Sequence, residues 1–177
     1  MQETPQQYTQ RISGYVQGKE PLRVQRSTPA KLAALIKGLD NKRLRYRSAP
    51  GKWSIAEILA HLADTELVGS WRMRLILGQN GAPVHAFDQD AWAASFNYQR
   101  RDPKTSLATF GLLRQNNLAL LKSIPKEKWE NFGMHQERGK ESISQIVRMF
   151  AGHDLNHLRQ IEELSKATKK RPARSRK

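Results

Sequence analysis

Between Ile146 and Leu164 one face of the chain repeats at steps of 4, 3, 4, 4 and 3, through Ile146, Phe150, His153, His157, Ile161 and Leu164. That rhythm turns one side of an α-helix toward a core and does not fit the alternation of a half-buried strand. Three other segments carry it too. Leu32, Leu35, Ile36 and Leu39 form one stripe, Ile58, Leu59, Leu62, Val68, Leu75 and Ile76 a second, and Leu107, Phe110, Leu113, Asn117, Leu120, Leu121 and Ile124 a third. No stretch shows a convincing period of two, and no repeat of about 20 to 50 residues is present. The expectation is an all-α fold.

Local punctuation divides these stripes into helices. Ser54 and Glu57 make a capping box with Trp53 and Ile58 at the flanking staple positions, and that helix runs to Gly78. Ser142 and Gln145 repeat the box ahead of Ile146. Thr28 with Pro29, and Asp102 with Pro103, read as an N-cap followed by a first helical proline, and Pro125 stops the third helix. Tyr8, Ile12, Tyr15 and Val16 form a short accessory N-terminal helix ended by Gly18 and Pro21. The stretch from Gly78 to Arg101, with Phe87, Asp88, Trp92 and Phe96, reads as a long crossover with room for a short helix, and the segment holding Gly133 and Gly139 as a loop. Four long amphipathic helices bury their stripes most simply as a four-helix bundle, with the crossover joining the second and third.

At 177 residues and 38% hydrophobic content the chain can build one core without help from cross-links. Cysteine is absent, which excludes disulfides, thiolate metal ligands and a protein thiol nucleophile, and fits a reducing compartment. The N-terminus lacks a basic region followed by an apolar core, and no apolar run approaches the roughly 20 residues that span a bilayer. A cytoplasmic protein without membrane association is expected. The formal net charge of +15 invites a nucleic-acid reading, but seven of the basic residues fall in 166–177, which has no acidic residue, and without them the charge is +8. The expected organisation is therefore a bundle over 1–165 and a disordered basic tail over 166–177, able to make weak, nonspecific nucleic-acid contacts.

His153 and His157 occupy positions on the apolar stripe where hydrophobic residues would otherwise stand. Two imidazoles one helical turn apart reach a single transition-metal ion. A bundle site draws its ligands from different helices, and His61, bordering Ile58, Leu62 and Thr65 on the second helix, is the natural third. Three imidazoles leave open positions on an ion, as a catalytic site requires. Asp154, Leu155 and Asn156 stand between the paired histidines, so the glutamate of a zincin helix is missing and a metalloprotease is not indicated. His85 reads as a plain loop residue.

The segments Pro50 to Glu66, with Trp53-Ser54-Ile55-Ala56-Glu57 and His61, and Gly152 to Ile161, with His153-Asp154-Leu155-Asn156-His157, resemble the two signature segments of the DinB-like (YfiT-like) superfamily. Phe87-Asp88-Gln89-Asp90-Ala91-Trp92-Ala93 is similar to a loop of the YfiT-like branch, and the resemblance covers roughly Pro5 to Leu164. It implies a metal-binding four-helix bundle in which His61, His153 and His157 hold one divalent ion, nickel or zinc, in a protein that is commonly a homodimer. Two positions depart from the pattern: Asn156 stands where many members have histidine, and Gln136 where the branch often has proline.

The same resemblance implies two enzyme classes. In one, a bacillithiol-type low-molecular-weight thiol is activated on the metal and attacks an electrophile; in the other, metal-activated hydroxide hydrolyses the substrate. A third reading is a metal-binding stress or interaction protein without turnover. For hydrolysis His135 is the candidate general base. Asp88 and Trp92 are candidates to shape the substrate pocket, and Asn156 and Glu57 to orient the imidazoles.

Overall fold

Nearly every long helix begins at a side chain that takes up its first free amides. The computed structural model describes residues 3–169. In α1 (Pro5–Gly14) Thr4 and Gln7 form a capping box, and in α2 (Pro21–Ile36) the Glu20 carboxylate accepts from the amides of Leu22 and Arg23. A single turn, α3 (Asn41–Leu44), leads to α4 (Ile55–Gly78), which opens on the Ser54–Glu57 box. Asp102 caps α6 (Pro103–Ser123), and the Ser142–Gln145 pair opens α7 (Ile143–Lys169). Each such cap stabilises its helix by about 1 kcal/mol.

The first bundle helix does not start where its proline suggests. Thr28 and Pro29 lie inside α2, whose cap is Glu20. The Thr28 hydroxyl donates back to the Val24 carbonyl at 3.0 Å. Pro29 has no N–H for the Gln25 carbonyl, and that carbonyl accepts from Arg114 Nη1 at 3.0 Å instead. A tertiary partner thus replaces the bond the proline removes.

α2 packs on α6 and α7, and α4 packs on the same two, so α2 faces α4 across the bundle and α6 faces α7. The crossover between α4 and α6 contains β1 (Ala82–Val84) and α5 (Gln89–Ser95). The expected loop after α6 is a hairpin, β2 (Phe132–His135) and β3 (Gly139–Ser142). β1 joins β2 in parallel and β2 joins β3 antiparallel, with Val84 opposite His135 and His135 opposite Gly139. These strands of three and four residues are too short to register as an alternation, so the small sheet corrects the strand-free expectation without changing the helical class.

The last helix also runs past the expected boundary at 165. Thr168 is buried and the Ser165 hydroxyl reaches the Leu35 carbonyl at 3.2 Å, so α7 continues to Lys169 against the end of α2. The rest of the basic tail lies outside the described residues. Among those described, no helix is long and apolar enough to cross a membrane.

Two large apolar clusters fill the bundle, and Val16, Val24 and Ala151 form a smaller third. Ile12, Met73, Ile76, Ile146 and Phe150 occupy one end, and Leu32, Ile58, Leu62, Phe110 and Ile161 the other. Along α4, α6 and α7 buried polar residues stand between these two, Glu66, Arg114 and Asn117, His153, Asp154 and His157, while His61 sits within the second cluster beside Leu59 and Leu62. α1 closes the first end by approaching α7 at Gly152, where a Cβ would lie 2.0 Å from the Ile12 carbonyl oxygen.

Candidate metal centre

The capping box at Ser54 fixes where α4 begins, and the seventh residue of that helix is His61. Its ring packs against Trp53, 4.9 Å between centroids, and Trp53 in turn meets Tyr98 edge-on at 6.3 Å. Tyr98 donates to Asp64 at 2.8 Å, and Arg101 holds the same carboxylate at 2.7 Å. The crossover is thereby tied to α4 one turn beyond His61.

From α7, one turn apart, His153 and His157 point at the same place. His153 Nε2 lies 3.0 Å from His61 Nε2 and 3.1 Å from His157 Nε2. All three rings are buried. The His157 Nδ1–H donates to the Gln160 carboxamide oxygen at 2.9 Å, which leaves its Nε2 as a bare lone pair facing the others. Burial, followed by the neighbouring imidazoles, holds His61 and His157 well below the ordinary histidine value. Burial and then the charge of Arg114 bring His153 down to about 4. At neutral pH the three rings are therefore neutral, each with one nitrogen that carries a lone pair.

Once freed of protons, the three Nε2 atoms form a tripod of lone pairs suited to one cation. Nitrogens about 2.0–2.1 Å from a tetrahedral ion stand roughly 3.3 Å apart, close to the observed separations. The three donor atoms lie within 4.8 Å of one another, and among the described residues this is the cluster that fits an ion. The residues present match a divalent transition metal.

Beside His157 lies a cavity of about 700 Å³. Tyr8 of α1, Lys52 and Trp53 ahead of α4, Asp90 of α5, and Asn156 and Gln160 of α7 contribute to its wall. His157 is the only imidazole among its described lining residues. The cluster is closed by the bundle on one side and adjoins this space on the other.

The remaining candidates fall in different places. Asn156 lines the cavity, whereas Asp88 and Trp92 do not, and their neighbours Gln89 and Asp90 do. Asp88 caps α5 by accepting from the amides of Asp90 and Ala91, and Trp92 stacks between Phe87 and Phe96. Glu57 is occupied: burial pushes its carboxyl up, but hydrogen bonds from Arg47 and Ser54 more than reverse this, and it stays below the usual carboxylate value. His135 sits in β2, buried, outside the three-histidine cluster and away from the cavity wall. Its Nδ1 accepts from the Glu137 amide while Nε2 has no partner, and burial together with Arg138 and Arg72 brings its pKa down to about 4.

Reading the sequence missed the group beneath the triad. Arg114 donates to Glu66 at 3.0 and 2.8 Å, to Asp154 at 2.5 and 3.0 Å, and to the Gln25 carbonyl. The signal was present in the third stripe, where Asn117 stands among leucines. The buried face passes through Phe110, Arg114, Asn117 and Leu121, so the position given to Leu113 belongs to Arg114.

A four-helix bundle in which three buried imidazoles meet defines a histidine-centred bundle protein, with a cluster compatible with metal binding. Residues 26–161 match the DinB superfamily model, and the chain belongs to that family. Two relatives are named, by inference, as metal-dependent hydrolases. One, OB0782 of Oceanobacillus iheyensis, is 25% identical over 138 residues, covering 78% of this chain and 80% of that protein. The other, YfiT of Bacillus subtilis, is 25% identical over 147 residues, covering 82% of each. The solved structure of YfiT, whose four-helix topology is itself described as unusual, aligns with a TM-score of 0.79 at 23% identity over 84% of this chain and 86% of that one. At that identity the alignment speaks for the fold.

Proposed function

We propose that this chain is a metal-dependent enzyme in which His61, His153 and His157 hold one divalent ion, nickel or zinc, next to a substrate seated in the adjoining cavity. The observation that carries the reading is the double position of His157: its Nε2 is 3.1 Å from that of His153, and its ring forms part of the cavity wall. When bound, an ion on three neutral imidazoles lowers the pKa of a coordinated water or thiol and acts as a Lewis acid.

The finer reading is S-transfer from an external thiol of the bacillithiol type to an electrophile. The cavity wall offers no free imidazole to take a proton from water, since His135 is elsewhere. A thiol, with an ordinary pKa near about 8.5, releases its proton with far less assistance. The thiol sulfur forms the new bond to the electrophilic atom, the leaving group departs with its electron pair, and the thiol proton passes to solvent. Trp53 and Tyr8 supply apolar wall for the electrophile, and Asn156 and Gln160 supply amide contacts. The chain has no cysteine of its own, so the sulfur comes from outside. The proposal includes a cytoplasmic setting, where such thiols stay reduced, and a homodimer.

Metal-dependent hydrolysis is the second reading, and the names of the relatives favour it. Elemental analysis of protein purified without chelator, followed by assay of the same preparation with a panel of thiols and a chromogenic electrophile, separates the two. Thiol-dependent turnover supports S-transfer, and ester or amide cleavage without thiol overturns it in favour of hydrolysis. Stoichiometric metal with neither turnover leaves a metal-binding protein without catalysis.

A further inference from the structure

The layer below the triad holds more negative charge than its own groups neutralise. Arg114, Glu66 and Asp154 are each 2% exposed or less. Glu66 Oε1 accepts from Arg114 Nε and Asn117 Nδ2, and Glu66 Oε2 from Arg114 Nη2. Asp154 Oδ1 and Oδ2 both accept from Arg114. Both acids are thus ion-paired to the same side chain, two carboxylates against one guanidinium. Arg74 reaches Asn117 from the exposed surface, where solvent screens its charge. The other polar neighbours, Ser70, Asn117 and Gln25, are neutral.

One carboxylate suffices to neutralise a guanidinium. A second, buried beside the first, adds its full desolvation cost with no cation of its own, and buried charges persist only where something compensates them. The compensating position is close at hand. Asp154 directly follows His153 on α7, and Glu66 lies five positions after His61 on α4. Packing alone would be served as well by Arg114 with a single acid.

We propose that the Arg114 cluster sets cation affinity at the triad electrostatically, with Glu66 and Asp154 drawing a divalent ion to the three imidazoles and Arg114 limiting that pull. The inference rests on the reading of the triad as a cation site. Glu66 and Asp154 touch neither the ion nor the substrate, and they act through the field they impose on the histidine layer. Because the cluster is buried, added salt screens this field little.

The test is titration of the chelator-stripped full-length protein with zinc and with nickel at neutral pH, in competition with a chromogenic chelator, alongside denaturant unfolding of the same apoproteins. Glu66→Gln and Asp154→Asn are expected to loosen both ions by about tenfold or more, the scale of one charge removed from a poorly screened site. Arg114→Gln is expected to bind as tightly as wild type or more tightly, although its apoprotein is less stable. Asn117→Ala, which removes a hydrogen bond to Glu66 without changing charge, is expected to lose stability and keep its affinity. Opposite effects of the acid and arginine variants support the proposal. Uniform loosening that follows lost stability overturns it and leaves the cluster a scaffold, as does unchanged affinity in the two amide variants. If Arg114→Gln does not fold, comparison of the amide variants with Asn117→Ala decides. A wild-type protein that takes up no ion defeats the cation reading itself, a result distinct from ion uptake that the variants leave unaltered.

Discussion

His61 Nε2 stands 3.0 Å from His153 Nε2, although the residues are 92 positions apart and belong to different helices. Two neutral imidazoles at this distance share one N–H, and a cation that takes the place of that proton is held by both lone pairs. The protein as purified is therefore expected to contain close to one divalent ion per chain, and His61→Ala or His153→Ala to contain almost none. Zinc at about 100 times its Kd should stabilise the wild type by about 2.7 kcal/mol and neither variant. Metal analysis and melting with and without zinc check both statements, and stoichiometric metal retained by His153→Ala would refute the ligand assignment.

Acid should unfold the metal-free protein by protonating buried imidazoles. His153 titrates at about 4 in the fold against 6.5 for the free side chain, so the unfolded chain binds its proton first as pH falls. Its contribution is complete above pH 6.5 and is lost as pH drops toward 4, a difference of about 3 kcal/mol for this one ring. His135, also at about 4, adds a loss in the same window. Denaturant unfolding of chelated protein from about pH 7 down to about pH 4.5 should show falling stability, and His135→Phe should flatten the slope. A flat profile for the wild type would contradict the burial of these rings as neutral species.

α1 depends on a missing side chain. A methyl group at residue 152 would lie 2.0 Å from the Ile12 carbonyl oxygen and 3.0 Å from the Ile12 side chain, so Gly152→Ala must push α1 away from α7. The expected loss is about 1–3 kcal/mol, as for other overpacked contacts, with faster proteolysis near Ile12 and the cavity wall at Tyr8 disturbed. Limited proteolysis and unfolding measurements read this directly. Unaltered protease resistance would show that α7 yields instead of α1.

What the sequence discloses about this fold depends on the range of the interaction responsible. The boxes at Ser54–Glu57 and Ser142–Gln145 are satisfied within four residues, and both form as their spacing predicts. The stripe of α7 is equally local, and all six of its positions are buried. Pro29 misleads because what permits it inside a helix is Arg114, 85 positions away and invisible to any local rule. Arg114 escapes notice for a related reason: a charged residue on a stripe reads as the edge of the face until two acids from other helices are seen around it. The strands are held by pairing between the crossover and the hairpin, with too few residues in each to mark themselves. His61, His153 and His157 were legible because two of them displace hydrophobic residues from a strict period and the third follows a clear helix start.

Trp53 gives the centre an optical signature. Its ring lies 4.9 Å from that of His61, in contact with the imidazole that would bind the ion. An open-shell ion such as nickel, held that close to an indole, opens a non-radiative route for its excited state, whereas closed-shell zinc does not. Nickel added to the chelated protein should quench part of the tryptophan emission with a saturation point of about one ion per chain, while zinc should compete the quenching away. Trp71, at 66% exposure, and the other two tryptophans supply emission that stays largely unquenched, so Trp53→Phe should remove the nickel-dependent fraction and leave the rest. Because Trp53 also serves as wall for the cavity, the same variant should bind nickel with near wild-type affinity yet turn over an apolar electrophile more slowly. Nickel quenching that survives in Trp53→Phe would place the ion beside a different tryptophan, away from the three histidines.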